Sequence, residues 1–389
     1  MHTGSFGALG ALLVIATPLL GQAPSPPLVA DSSSPVFQAA PLVPQVPPPP
    51  PAPTPNQGPP PGATVYQAPP DYIPTLPPER MRVASSEPYH IWVRGELLAW
   101  WVKNAPLAAP IAVVTDAAGN SQTVIGSSSA NFGEITGGRV ALGAWFDEHN
   151  NYGFETSFFS LDRRSNNQSV ASDGNGNPSI GLSYLSATPG QSGEFIQFLS
   201  TPGTFSGNIL ISSTLELWGA EVSGAMCLLR TGGFELTALA GFRYAELRET
   251  LSITGASTDI NSGDFIVLND QFATRNQFYG GQLGARVNWQ GARFALDVTG
   301  KLALGATHQI VDIQGNSLDS TNGLLPGGFY AQPSNIGHYT ATQFGIIPSM
   351  ELKLSYLLSQ RWRLFVGYDF MYWNQLVRPG NQLDRNVNL

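Results

Sequence analysis

From residue 89 onward the chain alternates apolar and polar residues, the period-two pattern of strands with two unlike faces. Nine such segments stand out. In the first, Ile91, Val93, Gly95, Leu97, Ala99 and Trp101 share one face, and Trp92, Arg94, Glu96, Leu98 and Trp100 share the other. Further on, Phe294, Leu296, Val298, Leu302 and Leu304 oppose Arg293, Asp297, Thr299 and Lys301. Met350, Leu352, Leu354 and Tyr356 oppose Ser349, Glu351, Lys353 and Ser355; Trp362, Leu364, Val366, Tyr368, Phe370 and Tyr372 oppose Arg363, Gly367 and Asp369. The other five cover roughly 138–147, 151–161, 214–228, 234–245 and 278–289. Each segment is about 10 to 15 residues long, where soluble strands run about five or six and tilted membrane strands need about nine to eleven.

Alternation alone does not say which face is outside, because a soluble barrel alternates with its apolar face inward. Three features favour a membrane barrel. Aromatic residues gather near segment ends (Trp100, Trp101, Trp289, Trp362, Tyr372 and Trp373), where an interfacial girdle belongs. The polar faces carry Arg or Lys together with Asp or Glu at mid-segment. Short turns at 148–150, 230–233, 290–291 and 358–360 alternate with polar connections at 103–135, 163–213, 246–277 and 306–341. That alternation predicts tight turns at one mouth and long external loops at the other. The expected fold is therefore all-β: an antiparallel up-and-down transmembrane β-barrel of about 9–12 strands.

A barrel must close, and bacterial single-chain barrels normally close with an even number. Nine leaves one strand unmatched. Either a closing strand hides in a connection, near 195–199 or 209–212, or the barrel at 89–389 lacks its last strand.

Composition narrows the rest. Residues 24–80 hold 21 of the 32 prolines and almost no charge, so 24–88 is expected to be disordered, close to a polyproline II spacer. Ahead of it, the apolar run Ala8 to Leu20 followed by Gly21-Gln22-Ala23 reads as a signal peptide over 1–23. Its n-region has no Lys or Arg, and 13 apolar residues are too few to span as a helix. A net charge of −8 with 12% charged residues offers no basic stripe, which excludes nucleic acid as a partner. The lone Cys227 excludes a disulfide framework and is expected to be a small apolar filler.

Several strings resemble the putative beta-barrel porin family 7. They are Gly95-Glu96-Leu97-Leu98-Ala99-Trp100-Trp101, Gly137-Gly138-Arg139, Leu217-Trp218-Gly219-Ala220-Glu221, Ala240-Gly241-Phe242-Arg243-Tyr244, 276–284, Lys301-Leu302-Ala303-Leu304-Gly305, and Gly367-Tyr368-Asp369 leading to Val377-Arg378-Pro379-Gly380. The resemblance spans about 89–388 and implies an outer-membrane barrel with no catalytic residues to transfer. Family members usually continue into one more strand after the Arg-Pro-Gly loop, and this chain departs from the pattern there.

The candidate site is a ladder of charges on the polar face. Arg94, Arg139, Arg243, Arg286, Lys301, Lys353 and Arg363 stand against Glu96, Glu155, Glu221, Glu235, Asp297, Glu351 and Asp369. Seven meet seven, and in so narrow a lumen balanced charges are expected to pair and plug it, whereas a selective ring would show one sign in excess. The expected role is a porin-like or structural outer-membrane barrel. Its expected partners are outer-membrane lipid, barrel-assembly machinery, and cell wall or surface proteins. The alternative is a surface binding protein that uses its external loops. No enzyme is expected: of His2, His90, His149, His308 and His338, only the last two could lie near an outer mouth, and neither adjoins a nucleophile motif. No cofactor or metal is expected, since Asp173-Gly174-Asn175-Gly176-Asn177 has Tyr184 where a calcium loop needs an acid.

Overall fold

The structure is a computed structural model that describes residues 3–13, 17–18 and 90–387, apart from 106, 108–109, 117, 126–129, 189, 191–192 and 359–361. The proline-rich 24–88 segment lies outside the described residues. The described part is all-β and its barrel strands are antiparallel. In chain order these are β1 (Thr3–Leu13), β2 (His90–Val102), β3 (Glu134–Trp145), β4 (Tyr152–Leu161), β5 (Phe205–Thr231), β6 (Phe234–Asp259), β7 (Phe265–Gln290), β8 (Phe294–Asp319), β9 (Gly337–Leu357) and β10 (Trp362–Val377).

Strands β2 to β10 are the nine expected from periodicity, each hydrogen-bonded to its neighbours in sequence. The unmatched seam between β2 and β10 is bridged by β1. Its Ala8 to Leu12 pair with Val102 to Leu98 on one side, and Thr3 to Leu13 pair with Val377 to Val366 on the other. The ring of pairings then returns to its start with ten strands. The bridging stretch overlaps the one assigned above to export, so its removal would reopen the seam. Neither of the two stretches expected to hide a closing strand does so. Glu194–Ser200 belongs to a separate sheet, and Ile209 to Ser212 lie within β5.

Strand length is the larger departure from expectation. Strands β5 to β8 run 26 or 27 residues each, and β9 runs 21. At about 3.3 Å per residue the longest exceed 80 Å, more than twice what a bilayer requires. The stretch 246–277, expected to be a long loop, is strand except for the turn at 260–264, and 306–319 extends β8. The strict alternation of short and long connections therefore does not hold.

The reason is visible in which face is apolar. Along the half of β6 nearer its Gly232-Gly233 turn, Phe242 faces outward and is 47% exposed while Arg243 faces in. Beyond Glu246 the faces exchange. Leu247, Leu251 and Ile253 are buried inside, and Arg248, Thr250, Ser252 and Thr254 face out. The same exchange occurs on β5, where Ile209, Ile211, Leu215 and Leu217 are buried but Val222 and Met226 are exposed. One half of the barrel wall is thus apolar on its outside and the other polar on its outside. The Gly232-Gly233 hairpin turn needs positive φ at both residues (53° and 89°), as a two-residue turn matched to strand twist does.

The connections at the far mouth fold inward. Ala112–Thr115, Ser121–Ile125, Ser179–Ser186, Glu194–Ser200 and Asn386–Val387 form a five-stranded sheet. Ile111, Ala112, Ile180, Leu182 and Leu199 from this cap pack with Ile209, Ile211, Leu251, Ile253, Phe272, Val311 and Ile313 of the wall into one apolar core. The Asp173 stretch is a turn, its Oδ1 accepting from the Asn175 and Asn177 amides (2.9 and 2.8 Å).

Candidate functional site

On the lipid-type half of the wall, outward residues are large and apolar: Leu283 is 69% exposed, and Ile91 and Val93 are each 67%. The charged face points inward. Period two places Arg94 and Glu96 of β2, Arg139 of β3, Glu155 of β4, Glu221 of β5, Arg243 of β6, Arg286 of β7, Lys301 of β8, Glu351 and Lys353 of β9, and Asp369 of β10 in one lumen.

Two knots of ion pairs result. In the first, Arg139 is gripped by Glu96 (3.0 Å), Glu351 (2.7 Å) and Asp369 (2.8 Å), which come from three different strands. Lys353 joins it by ion pairs with Glu96 (2.8 Å) and with Glu351, and Arg94 joins through Glu96 (2.6 Å). In the second knot, Lys301 bridges Glu221 (2.5 Å) and Glu155 (3.3 Å), while Arg243 and Arg286 hold those same carboxylates, each at 2.7 Å. Arg243 also donates to Ser349 Oγ (3.0 Å) on β9, the strand that carries Glu351 and Lys353 of the first knot. Glu96 and Lys353 are almost fully buried, so each charge relies on its partners for the hydration it has lost. The open space beside the knots is about 80 Å³, room for a handful of waters.

Two members of the predicted ladder whose side chains are described stand apart from the knots. Glu235 pairs with Arg230 beside the hairpin turn (2.9 Å), and Asp297 accepts from Asn288 (2.5 Å). The side chains of Arg363 and of Trp362 lie outside the described residues. Of the expected girdle, Trp101 (44% exposed) and Trp289 (50%) face outward, as does the partly exposed Tyr372. Trp100 and Trp373 correct that expectation. Both point into the lumen and are buried, Trp100 against Phe159 (5.4 Å between rings) and Trp373 against Phe278 (6.0 Å) with its Nε1 donating to Thr307 (3.0 Å). Each is adjacent in sequence to an outward aromatic, so alternation sends one of the pair inside. The outer aromatic row is instead Phe158, Trp218, Tyr244 and Tyr279 on β4 to β7, neighbouring rings lying 4.9 to 6.0 Å apart.

Above the knots the chain itself enters the barrel. After Gln375, whose φ is +52°, the C-terminal segment turns into the barrel. Asn276 of β7 donates to the Val377 carbonyl (2.8 Å) and accepts from its amide (2.9 Å), as a strand neighbour would. Arg378, with its side chain 1% exposed, makes a two-pronged pair with Glu249 of β6 (2.5 and 2.8 Å) and donates to the carbonyls of Lys103 and Asn104. Higher still, Asp270 of β7 accepts from the amides of Tyr330 (3.1 Å) and Ala331 (2.8 Å) and holds their connection against the wall. Burial pushes the Asp270 carboxyl up to about 6, against those backbone donors.

With the fold and lumen described, comparison with known families is decisive. The model of the Putative beta barrel porin-7 (BBP7) family matches residues 92–389. The chain belongs to that family. A search of curated proteins finds no match. The strings that carried the resemblance hold Glu96, Arg139, Glu221, Arg243, Lys301 and Asp369 of the knots, and Arg378 of the inward-turning C-terminal strap, 376–387. Val377 and Arg378, at the Arg-Pro-Gly string, are where the chain enters its own barrel. Reading charges by face found the knots. It missed Glu249, Asp270 and Arg378 because they lie in stretches read as loop; the alternating Leu247, Leu251 and Ile253 were the available signal.

Proposed function

We propose that this family member is an outer-membrane barrel whose lumen is plugged at rest, a wall and external platform before it is a conduit. The observation that carries the reading is Arg139, held at once by carboxylates of β2, β9 and β10 across the lumen. A conducting ring would display one sign of charge toward water. Here the knots hold six cations against five carboxylates, each engaged with an opposite charge. The strap through Arg378 and the apolar outer core add two further barriers above them. Lipid faces the apolar half of the wall, insertion falls to the barrel-assembly machinery, and no catalytic role is assigned.

Liposome swelling tests this reading. Vesicles carrying the full-length protein should take up small sugars no faster than empty vesicles, and rapid uptake would overturn the plug. A second reading, an interaction protein, is favoured by the cap strand Glu194–Ser200, which leaves Phe195, Ile196 and Phe198 at 36 to 44% exposure. Swelling indistinguishable from that of empty vesicles, together with pull-down of a surface protein that is lost on Phe198→Ser, would favour it.

A further inference from the structure

The outside of the wall carries a charge arrangement that neither the plug nor the cap requires. Where the outward face changes from apolar to polar, Arg248 of β6 and Arg275 of β7 occupy directly opposed positions of the antiparallel pair. Like charges placed directly opposite repel. Both are substantially exposed, at 48% and 40% of their side chains. Between and below them the Glu246 side chain is fully buried. It accepts from Arg275 (2.8 Å), Gln277 (2.8 Å) and Tyr244 Oη (2.5 Å), and also pairs with Arg248. Four neighbours thus pin one carboxylate, and that carboxylate orients two guanidinium groups toward the outside.

The surrounding charges leave the pair in excess. On β5, Glu216 lies opposite Arg248 but is paired with Arg163 (3.3 Å). On β8, uncharged Ile310 lies opposite Arg275, and His308 lies opposite Gln277. Three arginines therefore meet two glutamates along this row. Immediately beneath it run the rings of Trp218, Tyr244 and Tyr279, spaced 4.9 and 5.0 Å apart. Aromatic belts of this kind mark the boundary between acyl chains and headgroups. A planar guanidinium offers paired donors that match phosphate oxygens.

We propose that Arg248 and Arg275, set by Glu246, form a binding site for the phosphate of an outer-leaflet lipid whose acyl chains lie along the Trp218–Tyr244–Tyr279 row. The proposal rests on the membrane placement of the apolar half of the wall. The test uses native mass spectrometry of the full-length protein released from mixed micelles, with phosphorylated lipid A as probe and its dephosphorylated form as control. Barrel assembly is checked separately by heat-modifiable gel migration. Bound phosphorylated lipid is expected on the native protein, falling about tenfold in the Arg248→Gln, Arg275→Gln double variant, the scale of losing one charge-assisted contact set. The Arg248→Lys, Arg275→Lys variant should keep part of the binding.

Equal occupancy in native and Gln variants would overturn the site. So would equal binding of the dephosphorylated lipid. Displacement of the lipid by millimolar inorganic phosphate alone would overturn the lipid assignment in favour of a free-anion site. Where the Gln variant fails to assemble, because Glu246 then stays buried without its cations, the Arg248→Lys, Arg275→Lys variant carries the test, and binding in it of the phosphorylated lipid no tighter than of the dephosphorylated form would overturn the site.

Discussion

Arg139 gathers carboxylates from three strands of the barrel around one side chain. Its guanidinium is divided among Glu96, Glu351 and Asp369, and removing it leaves three carboxylates beside the cations Arg94 and Lys353. Leaving buried charge uncompensated costs roughly 3–5 kcal/mol. Arg139→Gln should therefore lower the denaturant midpoint of the inserted barrel and, where it still assembles, give a leak that prefers cations. A variant as stable and as tight as the native protein would contradict the knot. Asp270 acts in the opposite direction with pH. Its folded pKa of about 6 lies above the value of about 3.9 for a free aspartate, so the folded state binds the proton more tightly. The docking it provides is strongest below about pH 4 and declines as pH rises through about 6. Amide protection of Tyr330 and Ala331, corrected for intrinsic exchange, should be higher at pH 4.5 than at pH 7.5. Asp270→Asn should flatten the difference, and an unchanged pH dependence in that variant would remove Asp270 as its source.

Among elements, the strap 376–387 is the least expected. Val377 to Arg378 enters the barrel and is held by Asn276 and Glu249, and Asn386–Val387 joins the cap sheet beside Ser179–Ser186. Arg378→Ala should leave Glu249 buried without its two-pronged partner, again a penalty of roughly 3–5 kcal/mol. Limited proteolysis should then cut the C-terminal segment while leaving β5 to β8 intact; a protease-resistant strap would contradict its dependence on Arg378. The nine strands were legible because Arg94 with Glu96, or Glu351 with Lys353, mark one face against Ile91, Val93, Leu352 and Leu354 on the other. Their upper halves were not. Between Leu247 and Ile253 the apolar residues move to the inner face, and a reader looking for an outward apolar face sees a polar loop. The bridging role of Thr3–Leu13 was also hidden, because an even apolar run carries no alternation to read.

For the whole molecule, the exchange of faces divides the barrel into a lower half that presents Leu283 and Phe242 on its outside and an upper half that buries Leu251 and Phe272 around a cap. Burying one such side chain is worth about 1.5–3 kcal/mol, so the upper half has a core of its own and does not depend on the bilayer. Accordingly, spin labels at 222 and 283 should report lipid-soluble oxygen, and labels at 252 and 271 should report water-soluble relaxants. Uniform lipid exposure along β6 would contradict the division. The plug itself is tested most directly by single-channel recording of the full-length protein in a planar bilayer, with Arg139→Gln alongside. A lumen closed by paired charge requires a silent native protein at moderate voltage and cation-selective openings in the variant. Steady, long-lived conductance steps from the native protein would contradict it.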